Sequence, residues 1–483
     1  MKYISTRGRD SLDSSYEAIL KGLADDGGLF VRETFPNFDW KSYIDRDFFY
    51  ADLAADVIGA FFDDIDIEEL REMTVNAYDK KFYAANALNI HDLGDISVVE
   101  LYHGQTAAFK DFALSMLPQF LQRAKKDQKL IILTATSGDT GKAALEGFKD
   151  LDGIEIYVFY PTDGVSTMQK LQMQTQEGEN THVIGVRGNF DDAQTGVKRI
   201  FRSQSAKDWN EKNDSSFSSA NSINIGRLVP QIAYYAYSYI SLVKDKKIKE
   251  GDPVDICVPT GNFGDILAGY YAKKMGLPIE NFVCASNENK VLTDFFNTGV
   301  YDANRELKLS TSPSMDILIS SNLERILYDL TKDPQKVDQW MTDLNEKGSF
   351  EVDEQTSAGL KDFYGYSCDS DMAGKIIKEV FDEYNYLVDT HTAVGYYALK
   401  KFREDTGSKN QMLLMSTASP YKFPEAVSKA LGLEVTDYKD ALEKINQKTK
   451  MPIPIPLQGL DKKEIRHDQI IDKDDLERII TGE

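Results

Sequence analysis

One lysine in the segment His103–Phe112 gives the first indication of chemistry. In the string HGQTAAFKDF, Lys110 stands between Phe109 and Asp111. A lysine amine is a nucleophile only when it is unprotonated, and burial beside aromatic rings lowers the pKa of the amine. Lys110 is therefore a candidate for covalent attachment to a carbonyl compound. Most lysines are solvated surface charges, so on this segment alone the surface interpretation stays open.

The string TATSGDTG, residues 134–141, follows an apolar run that is typical of a strand. Small residues between a strand and a helix expose backbone N–H groups, which form a carboxylate or phosphate receptor with the hydroxyls of Ser137 and Thr140. A nucleotide P-loop would need glycine where Thr136 stands and a hydroxyl where Ala143 stands, so that motif is not matched. An ordinary capped helix after a strand is the alternative.

A second loop of this kind follows the apolar run at 254–259 and contains Gly261, Asn262, Phe263, Gly264 and Asp265. Glycines let the backbone approach an anion closely, and the dipole of the following helix favours negative charge. The carboxylate of Asp265 beside the loop suggests that neutral amides are the main donors. Two such loops in one chain make a ligand with two anionic groups plausible.

The string NSINIGRL places Asn221 and Ser222 before a predicted helix and Arg227 about one and a half turns later. An amide, a hydroxyl and a planar guanidinium are a suitable set of donors for phosphate or carboxylate. The alternative is a helix N-cap followed by a surface arginine.

The string STASPYKF places hydroxyls, including that of Thr417, directly after a predicted strand. In α/β sheets, ligands bind at the carboxyl ends of strands, so these hydroxyls are candidate ligand contacts. A capped strand end is the alternative.

Alternating strands and helices must position these segments, and this alternation predicts an α/β fold with a parallel sheet covered on both faces. Strands are predicted at 96–101, 130–134, 154–160, 182–186, 254–259, 282–285 and 412–415. Helices are predicted at 142–148, 165–174, 191–201, 224–243, 266–275, 290–296, 392–402 and 424–431.

The same pattern divides the chain into four parts. Residues 1–95 are predicted to form a largely helical N-terminal domain, and 96–300 an α/β core. Residues 301–390 are charged and predicted to be a mostly helical insertion, and 391–483 return to the large α/β domain and end in a tail.

Length and charge limit the classes of function. A chain of 483 residues is expected to form two or three domains. The net charge of -22 opposes binding to nucleic acid or anionic membranes, so a small-molecule partner is expected. No apolar run is long enough to span a membrane, no secretion signal is recognised, and no metal site is predicted. Three cysteines fit a reducing cytoplasm, and the sequence leaves monomer and homodimer open.

The strings HGQTAAFKDF, TATSGDTG, NSINIGRL, PTGNFGD and STASPYKF, in this order, resemble threonine synthases of the longer bacterial and fungal type. The opening residues 3–8 and 22–29 resemble the N-terminal domain of that family. The sequence departs from the family at Gln105 and Ala107, where proline and leucine are common, and at Ser419, where histidine is common. The resemblance implies a fold-type II pyridoxal-phosphate enzyme, with two α/β domains around the cofactor cleft and an N-terminal mostly helical domain.

The resemblance also implies a role for each candidate residue. Lys110 would bind pyridoxal phosphate covalently and act as general base and acid. The remaining cofactor contacts would be Asp139 near the 3-hydroxyl, Gly261, Asn262, Phe263, Gly264 and Asp265 around the phosphate, and Thr417 at the pyridine nitrogen. The substrate contacts would be Ser137 and Thr140 at the carboxylate, and Asn221, Ser222 and Arg227 at the phosphate of O-phospho-L-homoserine.

The activity implied by the resemblance is the last step of threonine biosynthesis, in which O-phospho-L-homoserine and water give L-threonine and phosphate. The alternatives are another fold-type II activity, such as a threonine or serine dehydratase or a cysteine synthase, and a non-catalytic binding protein of the same fold. The phosphate-binding set at 221–227 argues against the first alternative, and the intact Lys110 argues against the second.

Overall fold

A computed structural model describes residues 2–136, 138–162, 165–188 and 190–482. Its strands are β1 (Tyr3–Ser5), β2 (Ser11–Leu12), β3 (Phe30–Arg32), β4 (Asn89–Asp92), β5 (Ile96–Glu100), β6 (Lys129–Ala135), β7 (Ile154–Pro161), β8 (Thr181–Arg187), β9 (Ser215–Ser219), β10 (Val254–Pro259), β11 (Ile279–Ser286), β12 (Val300–Asp302), β13 (Ser349–Glu351), β14 (Phe363–Ser367), β15 (Gln411–Ser416) and β16 (Ile470–Asp472).

The α-helices are α1 (Ser15–Lys21), α2 (Tyr50–Phe61), α3 (Ile67–Thr74), α4 (Lys110–Ala124), α5 (Asp139–Phe148), α6 (Thr167–Gln174), α7 (Phe190–Arg202), α8 (Gln204–Lys212), α9 (Ile225–Leu228), α10 (Ile232–Lys244), α11 (Gly264–Lys274), α12 (Val291–Thr298), α13 (Leu323–Thr331), α14 (Pro334–Lys347), α15 (Glu354–Gly359), α16 (Ser370–Tyr384), α17 (Thr390–Thr406), α18 (Pro424–Ala430), α19 (Tyr438–Thr449) and α20 (Leu476–Thr481).

The large sheet has six strands in the order β14-β11-β10-β15-β5-β4. Strand β4 is antiparallel to β5, and the other neighbours are parallel. Both faces of its centre are buried: alternate residues Leu413 and Met415 of β15 face one core, while Met412 and Leu414 face the other. Burial on both faces explains why the central strands are continuous apolar runs in the sequence.

The smaller sheet has five parallel strands in the order β16-β8-β7-β6-β9. Strand β6 shows the strand period of two, since Leu130 and Ile132 pack in the same core as helix α5. The alternate residues Ile131 and Leu133 pack in the core that contains α7. One parallel sheet and one sheet that is parallel except at its edge strand β4, both with covered faces, confirm the predicted α/β class.

The N-terminal region combines helices α1–α3 with a small antiparallel sheet of strand order β2-β1-β3. Its apolar residues Tyr3, Phe30 and Ile58 belong to the same core cluster as residues of α4 and α10. The N-terminal region is therefore packed directly against the helices that carry the central site.

Several elements differ from the sequence-based expectation, among them helix α4 and strand β9, which the sequence pattern does not predict. The single helix expected at 224–243 is two helices, α9 and α10, because Pro230 lies in a 3₁₀ turn between them and lacks an N–H donor. Strand β14, in the segment predicted to be a helical insertion, forms the edge of the large sheet. Strand β16, in the segment assigned to the large domain and tail, pairs with β8 in the smaller sheet.

In the part of the chain that the structure describes, no helix has the length and apolar character needed to cross a lipid bilayer.

Candidate active site

One cleft lies at the carboxyl ends of strands from both sheets. Lys110 comes after β5, Asp139 after β6, Asn221 after β9, Gly261 after β10 and Thr417 after β15. All five residues line the same cleft. Parallel strands bring their carboxyl ends to one edge, so residues that are far apart in sequence meet there.

Lys110 is the first residue of α4 and points into this cleft. The loop before it is held by an N–H of Phe109 that donates to the Thr417 carbonyl at 2.8 Å. The Lys110 side chain is 14% exposed, and its Nζ lies 3.8 Å from Oδ2 of Asp139 and 4.6 Å from the centroid of the Phe109 ring. Burial lowers the pKa of the Lys110 amine, and the charge of Asp139 opposes this shift only in part. The amine therefore has the environment that nucleophilic lysines need.

Asp139 is buried at the start of α5 and is surrounded by donors. Its carboxylate lies 2.8 Å from Nζ of Lys422, accepts a 2.8 Å hydrogen bond from Nε2 of Gln169, and accepts a 3.3 Å bond from the Ser314 hydroxyl. Burial alone would raise the pKa of Asp139, but the charges of Lys422 and Lys110 lower it well below its usual range. Asp139 is thus a fixed negative charge in the cleft.

The loop Gly261–Asp265 leads from β10 into α11. Phe263 adopts a left-handed backbone conformation with φ of 64°, and its ring stacks on Phe296, with ring centroids 5.7 Å apart. Among the described residues, no side chain caps the start of α11. The free N–H groups of a helix start, preceded by a glycine turn, are suited to bind a phosphate.

The carboxylate of Asp265 is bound by tyrosines of α10. Its Oδ1 accepts hydrogen bonds from the hydroxyls of Tyr234 at 2.5 Å and Tyr235 at 2.6 Å. Its Oδ2 is buried and has no partner within the described residues. Burial raises the pKa of Asp265 to about 6. This anchoring explains how a carboxylate can stand beside an anion-binding loop.

Arg227 lies on α9, lines the cleft and is 4% exposed. Its Nη1 donates to the Ala220 carbonyl at 2.7 Å, while its Nε is buried and lacks a partner among the described residues. Burial lowers the pKa of Arg227 to about 10. A buried guanidinium that has an unused donor, and no carboxylate bonded to it in the described parts of the chain, indicates a site for an anionic ligand.

Asn221 and Ser222 line the cleft beside Arg227. The Asn221 side-chain amide donates to the Ala135 carbonyl at 3.0 Å, which ties this loop to the end of β6. The Ser222 hydroxyl lies 3.2 Å from the Ser321 hydroxyl. Asn221 therefore also has a structural role, while Asn221, Ser222 and Arg227 all line the cleft.

The cleft contains residues that the sequence did not single out. Ser314 reaches it from the segment predicted to be an insertion, and its N–H donates to Nε2 of His391 at 3.3 Å. Nδ1 of His391 lies 2.8 Å from Oδ2 of Asp389, the N-cap of α17. The Asp-Thr-His string before a predicted helix was the available sequence signal for His391. Ser314 carries no signal, because only the folded loop brings it to Asp139.

Arg325 joins the N-terminal region to two loops of the cleft. Its side chain is fully buried, its Nε donates to the Phe30 carbonyl at 3.2 Å, and its Nη2 donates to the Ile223 carbonyl at 2.6 Å. Its Nη1 donates to the side chain of Asn322, whose backbone N–H and Nδ2 both donate to the Asn262 carbonyl at 3.1 Å. Arg325 thus fixes the relative positions of the 221–227 and 261–265 loops.

The structure brings the predicted site residues together in one cleft, except for one residue that lies outside the described parts of the chain. The predicted residues that line the cleft are Lys110, Asp139, Thr140, Asn221, Ser222, Arg227, Gly261, Asn262, Phe263, Gly264, Asp265 and Thr417. Ser137 lies outside the described residues.

Comparisons with known proteins cover most of the chain. Family models match at residues 2–78 ("Threonine synthase N terminus"), 84–417 ("Pyridoxal-phosphate dependent enzyme") and 392–480 ("Threonine synthase, C-terminal"). Threonine synthase of Saccharomyces cerevisiae is 35% identical over 465 residues, which are 89% of this chain and 89% of the yeast protein. The chain belongs to the threonine synthase family.

Other members of the threonine synthase family differ in length. Human threonine synthase-like 1 is 39% identical over 446 residues, which are 86% of this chain and 58% of the human protein, so this chain spans somewhat more than half the length of that relative. The crystal structure of pyridoxal-phosphate-bound threonine synthase from Brucella melitensis has a TM-score of 0.86 and 33% identity, and covers 100% of this chain and 98% of the Brucella chain. These matches confirm the expected family, fold type and pyridoxal-phosphate dependence.

Proposed function

We propose that the protein converts O-phospho-L-homoserine and water to L-threonine and inorganic phosphate. The observation that carries this proposal is Arg227, a buried guanidinium that lines the same cleft as Lys110 and whose Nε has no partner among the described residues. The substrates of a dehydratase or a cysteine synthase carry no terminal phosphate that a cation at this position could bind. Family membership supports the same reaction.

The residues of the cleft suit pyridoxal phosphate. Lys110 offers an amine with a lowered pKa, and the uncapped start of α11 offers N–H groups to a phosphate. The buried Oδ2 of Asp265, which has no partner within the described residues, leaves a polar atom for a ligand to satisfy. We therefore propose that Lys110 binds the cofactor aldehyde and that residues 261–265 bind its phosphate. Thr417 would contact the pyridine nitrogen, and Asp139 would lie beside the 3-hydroxyl.

The substrate contacts follow from the residues that line the cleft. Thr140, together with Ser137, would bind the α-carboxylate at the start of α5. Asn221, Ser222 and Arg227, which line the same cleft, would bind the phosphate. A substrate held at both ends presents its Cα to the Lys110 amine, which is the geometry that proton removal requires.

Proton transfer is the main task of the protein in this reaction. When bound, pyridoxal phosphate stabilises the electron pair left on Cα after proton removal. Lys110 would take the Cα proton and then move a proton at Cβ, since one flexible amine reaches both adjacent carbons. The guanidinium of Arg227 would stabilise the negative charge that develops as phosphate leaves Cγ. A proton is then delivered to Cγ, the hydroxyl of a water molecule adds at Cβ while its remaining proton goes to the released phosphate, and Lys110 returns a proton to Cα.

The decisive experiment is to incubate the cofactor-loaded protein with O-phospho-L-homoserine and measure phosphate and L-threonine together. Equal amounts of the two products would support the proposal. Phosphate with 2-oxobutanoate instead of threonine would indicate elimination without water addition, and no turnover by folded, yellow protein would contradict the proposed activity. Lys110→Ala is the control, because it keeps the remaining cleft residues.

We further propose a cytoplasmic protein that acts as a monomer or homodimer. The three cysteines Cys257, Cys284 and Cys368 are buried and unpaired, as is usual where thiols stay reduced. We also propose that the chain divides into four parts, with boundaries after residues 95, 300 and 390. Limited proteolysis would test those boundaries, and light scattering would measure the oligomeric state.

A further inference from the structure

Lys422 is a fully buried cation beside the candidate catalytic lysine. It lies in the turn after β15, and its Nζ is 2.8 Å from Oδ1 of Asp139. It also donates to Oε1 of Gln172 at 2.7 Å and to the Thr106 carbonyl at 3.1 Å. An ammonium group has three donors, and these three acceptors satisfy all of them.

Burying a lysine is costly even when it is paired, so its position needs an explanation. A structural explanation is that Lys422 joins the 420–422 turn to α6 and to the loop before Lys110. That explanation accounts for Gln172 and Thr106, whose contacts need only a neutral donor. It does not account for the ion pair with Asp139, which places one carboxylate between two lysines at 2.8 Å and 3.8 Å.

The shorter of the two ion pairs belongs to the lysine that takes no part in the proposed chemistry. If Asp139 had only Lys110 as a counter-ion, their attraction in a buried site would hold the Lys110 amine as an ammonium group. An ammonium group can neither bind an aldehyde nor accept a proton.

We propose that Lys422 is a positioning residue for Lys110: it serves as the permanent counter-ion of Asp139 and thereby leaves the Lys110 amine free to act as nucleophile and base. This inference rests on the role of Lys110 under the proposed function. The site would then contain a second lysine, Lys422, whose fixed positive charge acts on Lys110 electrostatically.

The charges around Lys110 make the balance explicit. Asp139 faces it from α5, Asp265 from α11, Arg227 from α9 and Lys422 from the turn after β15. His391 of α17 lines the same cleft. Two carboxylates are matched by two cations, so the field at the amine is nearly balanced. Removing Lys422 would leave an excess negative charge that favours protonated Lys110.

The test measures the Lys110 amine itself in the full-length, cofactor-free protein. Lys110 is labelled with acetic anhydride at a series of pH values, and the labelled peptide is quantified by mass spectrometry. In Lys422→Met, we expect the midpoint of labelling to move upward by roughly one pH unit, because the balancing cation is lost. The matched control is Lys142→Met, which removes a partly buried lysine that pairs with Glu146 and should leave the midpoint unchanged.

A second variant covers the case in which Lys422→Met does not fold. Gln172→Glu places a carboxylate at the existing 2.7 Å contact with Lys422, so the positive charge is neutralised and the ammonium keeps its partners. It should also move the Lys110 midpoint upward. In the loaded protein, the acidic limb of the kcat/KM profile should move in the same direction, and Lys422→Arg should restore the parent profile.

An unchanged Lys110 midpoint in folded Lys422→Met, or in Gln172→Glu if the first variant is unfolded, would overturn the inference and leave Lys422 a structural residue. Labelling of Lys110 does not depend on which amino acid the loaded protein converts. Failure of the proposed reaction, with the midpoint shift present, would therefore count against the substrate and leave the role of Lys422 intact.

Discussion

Replacement of Arg227 by alanine should impair the reaction of O-phospho-L-homoserine far more than any side elimination of serine or threonine. The guanidinium is 4% exposed, and one of its five donors is used by the Ala220 carbonyl. Unused donors, including the buried Nε, remain for a phosphate. Substrates without a phosphate do not use these donors, so the fall in kcat/KM should be confined to the phosphorylated substrate.

The magnitude follows from the number of bonds that are lost. One or two charge-assisted hydrogen bonds would be lost, and truncating one partner of such a buried charged pair costs about 2–5 kcal/mol. That loss corresponds to roughly 30-fold to several thousand-fold in kcat/KM. Arg227→Lys should recover only part of it, because lysine keeps the charge but lacks the planar fork.

The assay compares kcat/KM for O-phospho-L-homoserine with the rates of serine and threonine elimination by the same preparations. Inhibition by free phosphate provides a second measurement and should be weaker for Arg227→Ala than for the parent protein. Circular dichroism controls for loss of the Ala220 contact. Equal losses with phosphorylated and unphosphorylated amino acids would refute the reasoning and leave Arg227 with a structural role.

Four further variants test other parts of the site. Lys110→Ala should abolish turnover while the circular dichroism spectrum stays unchanged, because the lysine is both the point of attachment and the proton carrier; near-normal threonine formation would exclude this role. Thr417→Val should change the visible absorbance of the bound cofactor and lower kcat, and a raised KM with an unchanged spectrum would contradict the assignment. The pKa of Asp265 is raised to about 6 from an ordinary 3.8, so the folded state binds this proton more tightly than the unfolded state does. The cofactor-free parent should therefore become more stable as the pH falls from about 6 towards 4. The expected gain in the free energy of unfolding is up to about 3 kcal/mol. Urea unfolding should show this gain in the parent but not in Asp265→Asn, and identical pH dependence in the two proteins would rule it out. Arg325→Met should weaken both cofactor retention and phosphate inhibition, because its bonds fix both loops; a loss of only one of the two would show that they are positioned independently.

Central strands and anion-binding loops could be predicted from the sequence because local patterns encode them. Strand β10 has the predicted bounds, Val254–Pro259, since a run that is buried on both faces must be apolar throughout. Strand β14 was missed because its half-buried tyrosines and Gly365 weaken that pattern. A Cβ on Gly365 would lie 2.6 Å from Cα of Thr293, so this glycine permits close packing of the edge strand that no local signal reveals.

The residues that surround the predicted side chains could not be found in the same way. Lys422, Gln169 and Ser314 all contact Asp139, yet they lie in three separate segments of the chain. Lys422 stands in the STASPYKF string and the other two in ordinary local sequence, but the proximity of all three to Asp139 is a property of the tertiary fold. Sequence patterns therefore identified much of the lining of the cleft, while Ser314 and the charge balance around Lys110 required the structure.

The pairing of β16 with β8 has a consequence for synthesis of the chain. Ile470 lies opposite Gly185, so the outer edge of the smaller sheet is completed by residues made long after the strand they cover. Until then, β8 presents a row of free N–H and C=O groups, which can pair with a strand of another newly made chain. The segment that closes this edge contributes nothing to the cleft. Mutations in β16 are therefore expected to cause self-association of the chain during expression. Molecules that do fold would keep an intact cleft.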